Sequence, residues 1–256
     1  MADTSRHILG SYDAAISGLQ NDVLMMASLC ERNLRNSLGC LFNRDEDLCN
    51  VTIADDEEID QLEKQVDKNG IDLLRRFQPV ASDLRHVVAA MKLSGNLERI
   101  ADQAVNIARK ARKLNRAALL PEVHYLDPMF REVTSMLSDV LQAYTENSID
   151  MAITIPARDK TLDAMNHEIT ENLTVQMTKF PERITEYLEL IFMARHLERA
   201  GDHVKNIAED VVFAIAAEDI RHMGAQRPGS AADLLGEKAG EAGESEAWKT
   251  GDSLAS

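Results

Sequence analysis

LERIADQAVNIARKA, residues 97–111, returns one hundred residues later as LERAGDHVKNIAEDV, residues 197–211. Leu, Glu, Arg, Asp, Asn, Ile and Ala recur in register across the two stretches. Upstream, DEEID at 56–60 pairs with DKTLD at 159–163 at an offset of 103 residues, so the intervening loops differ in length by three residues. Self-similarity at a nearly constant offset indicates that one structural unit is duplicated.

Apolar residues around these motifs recur at steps of three and four, which is the period of one face of an α-helix. The clearest run lies in residues 6–41. Prolines are few and lie where the period breaks, and each disfavours helix in the residue before it. The pattern predicts six helices, the second of which can be kinked near Ala54: 6–41, 44–77, 80–118, 129–154, 157–180 and 182–222.

Composition supports helices, because aromatic residues make up only 4% of the chain and clusters of β-branched residues are scarce. We therefore predict an all-α protein of two repeated antiparallel three-helix bundles, at residues 1–120 and 121–223. Residues 224–256 are rich in Gly, Ala, Glu and Ser and can bury little apolar area. We predict that this last segment is a disordered tail.

The formal net charge of −15 argues against binding to nucleic acid or to anionic lipid, since both repel an acidic protein. The three cysteines are odd in number and lack CxxC spacing, so we expect neither a closed disulfide framework nor a thiolate zinc site. Neither an export-signal pattern nor an apolar run of about 20 residues is seen. We expect a cytoplasmic protein with no direct membrane insertion.

The motifs PVASDLR at 79–85, LERIAD with NIA at 97–108 and LERAGD with NIAE at 197–209 resemble those of the PhoU family. The resemblance covers residues 1 to about 223. The motif occurs twice and each copy follows an acidic DxxxD. One departure is Ala101, which stands where the family usually has the glycine that Gly201 keeps.

The resemblance implies a non-enzymatic, cytoplasmic regulator that acts negatively on the phosphate regulon when phosphate is plentiful. Its implied partners are the ATPase of the high-affinity phosphate ABC transporter and the phosphate-sensing histidine kinase, and its implied assembly is a homodimer. Members of the family also carry multinuclear metal clusters held by repeated (E/D)xxxD motifs. We expect these properties from the likeness alone.

Four carboxylate pairs are the candidate metal ligands. Residues four apart on a helix have Cβ atoms about 5–6 Å apart, so like charges at that spacing repel unless a cation lies between them. The pairs occupy equivalent points of both repeats, one on the second helix and one on the third. They are Asp56 with Asp60, Glu98 with Asp102, Asp159 with Asp163, and Glu198 with Asp202.

A solvated acidic face is the alternative, because chance alone gives roughly seven acid pairs at this spacing in so acidic a chain. Their equivalent placement favours metal binding. His196 and His203 face away from the carboxylates on the helical wheel, so the expected ligands are all oxygens. Such a site suits Mg²⁺, Mn²⁺ or iron better than zinc, and iron ranks first from the family resemblance alone.

The same carboxylate pairs are compatible with other functions. A carboxylate-bridged metalloenzyme or metal store is the main alternative, and a purely structural bundle is another. The sequence contains no Gly-rich phosphate loop and no GxSxG motif, so an enzyme is not expected. Arg85, Arg99 and Arg199 could bind phosphate, but in so acidic a chain we expect arginines to neutralise nearby carboxylates.

Overall fold

The computed structural model of this chain describes residues 2–221, with side chains from residue 10 onward. Two short 3₁₀ segments, Pro121–Leu126 and Pro181–Arg183, precede the fifth and eighth helices. Residues 2–221 contain no β-strand and form these helices: α1 Ala2–Phe42, α2 Glu46–Ala54, α3 Asp56–Phe77, α4 Ala81–Leu114, α5 Asp127–Glu146, α6 Ile149–Ala152, α7 Ile155–Lys179 and α8 Ile184–Ala216.

Three long helices and one short helix build each repeat, so the predicted all-α fold with two three-helix bundles is confirmed. In the first repeat α1, α3 and α4 are the long helices; in the second they are α5, α7 and α8. The predicted kink near Ala54 is the break between α2 and α3 at Asp55. The repeat boundaries at 120 and 223 stay predictions, and the predicted tail at 224–256 lies outside the described residues.

Three predicted helix ends were wrong, and at two of them a left-handed residue ends a helix that apolar periodicity alone would continue. The predicted helix 129–154 stops at Glu146, since Asn147 adopts φ 52° and ψ 44° and its N–H bonds the carbonyl of Ala143. Ala217, at φ 59°, ends α8 six residues before the predicted end at 222. Helix α4 ends at Leu114, short of the predicted 118.

The central feature of the fold is the seam between α4 and α8, the most extensive contact between helices in the described chain. In the first repeat α1 and α3 pack on α4, and in the second α5 and α7 pack on α8. Leu97 and Leu197, which begin the two repeated motifs, are both fully buried. Within the described residues, no helix is long and apolar enough to cross a membrane.

Two polar contacts across this seam involve residues that are counterparts at the offset of one hundred residues. Nδ1 of His196 lies 2.8 Å from Oε1 of Gln103, and Nδ1 of His203 lies 3.2 Å from Oδ1 of Asn96. Asn96 is the counterpart of His196, and Gln103 is the counterpart of His203, so the two contacts join equivalent positions of the two repeats. Reciprocal contacts of this kind define a two-fold relation. The repeats therefore pack against each other through equivalent faces.

The end of α1 is tied to α2 by a disulfide bond. Cys40 and Cys49 are joined and buried, and their Cα atoms lie 5.1 Å apart. Cys30 is a free, buried thiol. The sequence-based expectation that the cysteines form no closed disulfide was therefore wrong for this pair, because nine residues and a helix reversal bring Cys49 back against α1.

Candidate metal centres

Each predicted carboxylate pair lies on one long helix, and the packing of neighbouring helices brings the pairs together two by two. The first-repeat cluster joins α3 with α4, and the second-repeat cluster joins α7 with α8. The first-repeat cluster consists of Asp56, Asp60, Glu98 and Asp102. The second-repeat cluster consists of Asp159, Asp163, Glu198 and Asp202.

Mutual repulsion is evident in the first-repeat cluster. Burial, and then the charge of Asp102, raise the pKa of Glu98 to about 7. Burial, and then the charges of Asp102 and Asp60, raise the pKa of Asp56. These effects require the carboxylates of α3 and α4 to lie near each other, so the first-repeat cluster is an anionic centre that lacks enough positive charge.

Arginine compensates for only part of this charge. Nε of Arg99 lies 3.2 Å from Oε2 of Glu98, and its Nη1 lies 3.9 Å from Asp102. The Arg99 side chain is 61% exposed, so water screens both contacts. Oε2 of Glu98 is buried and, within the described residues, accepts no hydrogen bond. The predicted neutralising role of Arg99 is confirmed, and Arg85 instead donates from Nε to the carbonyl of Ala214.

A lysine bridges the second-repeat cluster. Nζ of Lys205 lies 2.6 Å from Oδ2 of Asp159 and 2.9 Å from Oδ1 of Asp202. One of these carboxylates comes from α7 and the other from α8, so the ammonium joins the two helices. The Asp159 side chain is only 5% exposed, whereas that of Asp202 is 46% exposed.

Titration in the second-repeat cluster reflects this bridge. Burial opposes the ammonium, but the hydrogen bonds to Asp159 and Asp202 raise the pKa of Lys205 well above its ordinary value. Burial raises the pKa of Asp159, and Lys205 lowers it only in part. Burial, and then Asp202 and Asp163, raise the pKa of Glu198. The cluster opens to solvent through a groove of about 660 Å³ lined in part by Asp159, Asp163 and Lys205.

The two clusters differ in how well they suit a metal ion. Within the residues whose side chains are described, no three His, Cys, Asp or Glu side chains are already arranged to hold one. The first-repeat cluster nevertheless has an oxygen-only donor set and excess negative charge, which suit a hard cation. Both clusters hold a buried carboxylate oxygen that accepts no hydrogen bond from the described residues, Oε2 of Glu98 in the first and Oδ1 of Asp159 in the second. The second-repeat cluster does not fit equally well, because Lys205 already bonds two of its four carboxylates.

Sequence reasoning missed two members of these sites. Burial and the charges of Asp67 and Asp60 raise the pKa of Glu63, which places this further acidic side chain of α3 beside the first-repeat cluster. The ExxxD spacing of Glu63 and Asp67 was visible in the sequence. Lys205 was also visible, as the charged counterpart of Val105 in the aligned motifs. Its contacts with Asp159 and Asp202, which the sequence does not reveal, show that this difference lies at the acidic cluster.

Gly201 permits the close packing that brings the second-repeat cluster together. A Cβ atom built there would lie 2.4 Å from Cδ1 of Leu162 and 3.7 Å from Oδ1 of Asp159. Gly201 therefore leaves room for the close approach of α7 to α8. Ala101, its counterpart in the first repeat, is fully buried, so α3 and α4 accommodate the methyl group there.

Comparison with protein families places two copies of one domain in this chain. The model of the PhoU domain matches residues 23–111 and residues 126–211. These two matches contain most of the long helices, all eight candidate carboxylates and both copies of the repeated motif. The duplication inferred from the offset of one hundred residues and the duplication found by the family model are therefore the same.

Individual relatives and solved structures agree with that match. "Phosphate-specific transport system accessory protein PhoU homolog" of Pseudomonas putida is 33% identical over 227 residues, covering 87% of this chain and 88% of its own. "Phosphate-specific transport system accessory protein PhoU" of Escherichia coli (strain K12) is 31% identical over 220 residues, covering 86% and 91%. The crystal structure of PhoU from Pseudomonas aeruginosa superposes with a TM-score of 0.79 at 30% identity, covering 81% of this chain and 100% of that one.

Proposed function

This chain belongs to the PhoU family, and we propose that it is a cytoplasmic, metal-binding adaptor that negatively regulates the phosphate regulon and modulates high-affinity phosphate uptake. Its proposed partners are the ATPase of the phosphate ABC transporter and the phosphate-sensing histidine kinase. We further propose that it works as a homodimer. The relatives bear names of accessory proteins of phosphate-specific transport, which supports the regulatory part of the proposal.

The observation that carries the proposal is the double match of the PhoU domain to residues 23–111 and 126–211. Both matched segments are built from long helices with few loops, and the two grooves lined in part by Arg99 and by Asp159 are open to solvent, unlike the deep, enclosed cavities that enzymes use. Helical surfaces of this type suit recognition of other proteins. We therefore propose that the chain regulates by contact and not by catalysis.

The proposed metal centre is the first-repeat cluster. Asp56 and Asp60 on α3, with Glu98 and Asp102 on α4, supply only oxygen donors and carry more negative charge than Arg99 balances. A bound cation would relieve repulsion between the two helices and hold them at a constant distance. A multinuclear iron cluster is our first choice, with Mg²⁺ or Mn²⁺ as alternatives and zinc less suited to such ligands.

Deletion of the gene tests the regulatory role. A reporter driven by a phosphate-starvation promoter should be active in phosphate-rich medium in the deletion strain, because the restraint on the histidine kinase is lost. The full-length chain should restore repression. Unchanged repression after deletion would contradict the proposal, and redox turnover by the purified protein would favour the alternative of a carboxylate-bridged metalloenzyme or metal store.

Charge reversal tests whether contact is the mechanism. Glu57 and Glu58 are exposed on the first turn of α3, so replacing both by lysine changes the acidic surface without disturbing the core. Capture of the transporter ATPase should weaken more at about 50 mM salt than at about 500 mM, because salt screens exposed charges. Glu146→Lys, at an exposed position on α5, is the matched control. Equal effects of the two changes would argue against recognition through α3.

A further inference from the structure

Among the differences between the two copies of the repeated motif, one places a cation at the acidic cluster of the second repeat. Val105 and Lys205 are counterparts at the offset of one hundred residues. Val105 is buried in the core of the first repeat, whereas Lys205 reaches the carboxylates of the second. The exchange of an apolar side chain for a cation changes the charge next to the motif acids, which both copies keep.

Lys205 bonds the two carboxylates that correspond to Asp56 and Asp102 of the first repeat. Those counterparts, Asp159 and Asp202, lie 2.6 and 2.9 Å from its Nζ. Hydrogen bonds between an ammonium and carboxylates are about twice as strong as neutral ones. A cation that used the same oxygens would have to displace the ammonium, and Mg²⁺ or a similar ion needs direct contact at about 2.1 Å.

Burial makes this ion pair difficult to replace. Asp159 is almost fully buried, and removing the partner of a buried charge is strongly unfavourable. Its other oxygen, Oδ1, is buried and accepts no hydrogen bond from any described residue. Without Lys205, the same position would present a buried carboxylate directed at a second carboxylate on α8, with no positive charge between them.

Other cations near the clusters do not take this role. In the second repeat, Arg195 and Arg199 act on Glu198 through space, and neither bridges α7 to α8. In the first repeat, Arg99 contacts only carboxylates of its own helix, and Arg109 acts on Asp56 at longer range. Only Lys205, among the described residues, joins the carboxylates of two helices within one of these clusters.

We propose that Lys205 is the built-in cation of the second-repeat cluster, so that this chain binds its metal through the first repeat alone. The inference deepens the proposed function, on whose metal site it rests. The two repeats then have separate roles: the first responds to the supply of metal, and the second keeps α7 and α8 joined whether or not metal is present.

The experiment measures Mn²⁺ bound by the metal-free, full-length protein, by elemental analysis after gel filtration and by electron paramagnetic resonance of the free ion. In wild type, Asp102→Ala should remove most bound Mn²⁺ and Asp202→Ala should leave it unchanged. Lys205→Val, which copies the first repeat, should about double the bound Mn²⁺. Adding Asp202→Ala to Lys205→Val should abolish that gain. Lys160→Val, at an exposed position of α7, is the matched control and should change nothing.

Two results would overturn the inference: equal losses from Asp102→Ala and Asp202→Ala in wild type, or no gain of Mn²⁺ in Lys205→Val. Circular dichroism of each variant verifies that the helices are formed, and the comparison of the two aspartates does not depend on Lys205→Val folding. A third result would separate the two ideas: the wild-type protein binds no Mn²⁺ but the Lys205→Val variant does. This result would support the role of Lys205 and contradict the metal site of the proposed function. The promoter reporter tests the adaptor role separately.

Discussion

Nζ of Lys110 lies 3.2 Å from Oε2 of Glu189, so an ammonium on α4 of the first repeat pairs with a carboxylate on α8 of the second. Lys113, one turn further along α4, also contacts Glu189. The Glu189 side chain is 12% exposed, whereas that of Lys113 is 64% exposed. Lys110 and Glu189 therefore form the better shielded ion pair, and it lies in the seam that joins the repeats.

Glu189→Gln should lower the free energy of unfolding at pH 7, and this difference from wild type should disappear in acid. Burial alone would raise the pKa of Glu189, but hydrogen bonds from Lys113 and Lys110 outweigh it and hold the pKa below its ordinary value. A carboxyl with a lowered folded-state pKa contributes stability above its unfolded pKa, and the contribution is lost as pH falls through the folded one. We expect a cost of about 1–2 kcal/mol at pH 7.

Urea unfolding of wild type and Glu189→Gln between pH 7 and pH 3 measures this difference. The gap between the two free energies of unfolding should be constant above about pH 5 and should shrink below about pH 4.5. Glu168→Gln, on the exposed face of α7, should show almost no gap at any pH. A gap for Glu189→Gln that grows in acid would show that the ion pair does not stabilise the seam.

Reduction of the Cys40–Cys49 disulfide should lower the free energy of unfolding by about 2–3 kcal/mol, because the bond closes a short loop and restricts the unfolded chain. Urea unfolding with and without a dithiol reductant measures the change. The double variant Cys40→Ala, Cys49→Ala should unfold identically under both conditions. If the reductant leaves the unfolding of wild type unchanged, the two thiols are not paired in the folded protein.

Ala217→Gly should stabilise the protein by about 0.5–1 kcal/mol. Ala217 ends α8 in the left-handed region at φ 59°, where its N–H bonds the carbonyl of Phe213 and where glycine lacks the steric cost of a Cβ atom. The matched control is Ala164→Gly within α7, which should destabilise by a similar amount because glycine weakens helix interiors. Thermal unfolding should move the two midpoints in opposite directions, and a fall for both would contradict the left-handed end of α8.

The sequence by itself determined the helical class, the duplication and the placement of four carboxylate pairs. These properties follow from spacing along one chain: the helical period places residues four apart on one face, and the offset of one hundred residues relates the two motifs. The break near Ala54 was also predictable. Helix ends were less predictable: alanine rarely adopts the left-handed conformation that Ala217 has at the end of α8, and asparagine, which adopts it more often, does so at Asn147 inside an apolar period that would continue the helix.

Only the tertiary structure decided which of these local features act together. Lys205 and Asp159 are 46 residues apart, and their contact exists because α7 packs on α8 beside Gly201. The Cys40–Cys49 bond depends on the reversal between α1 and α2. Helical periodicity determines the direction of a side chain on its own helix, but the partner of a charge depends on packing between helices, and a repeated sequence can therefore hold two unlike sites.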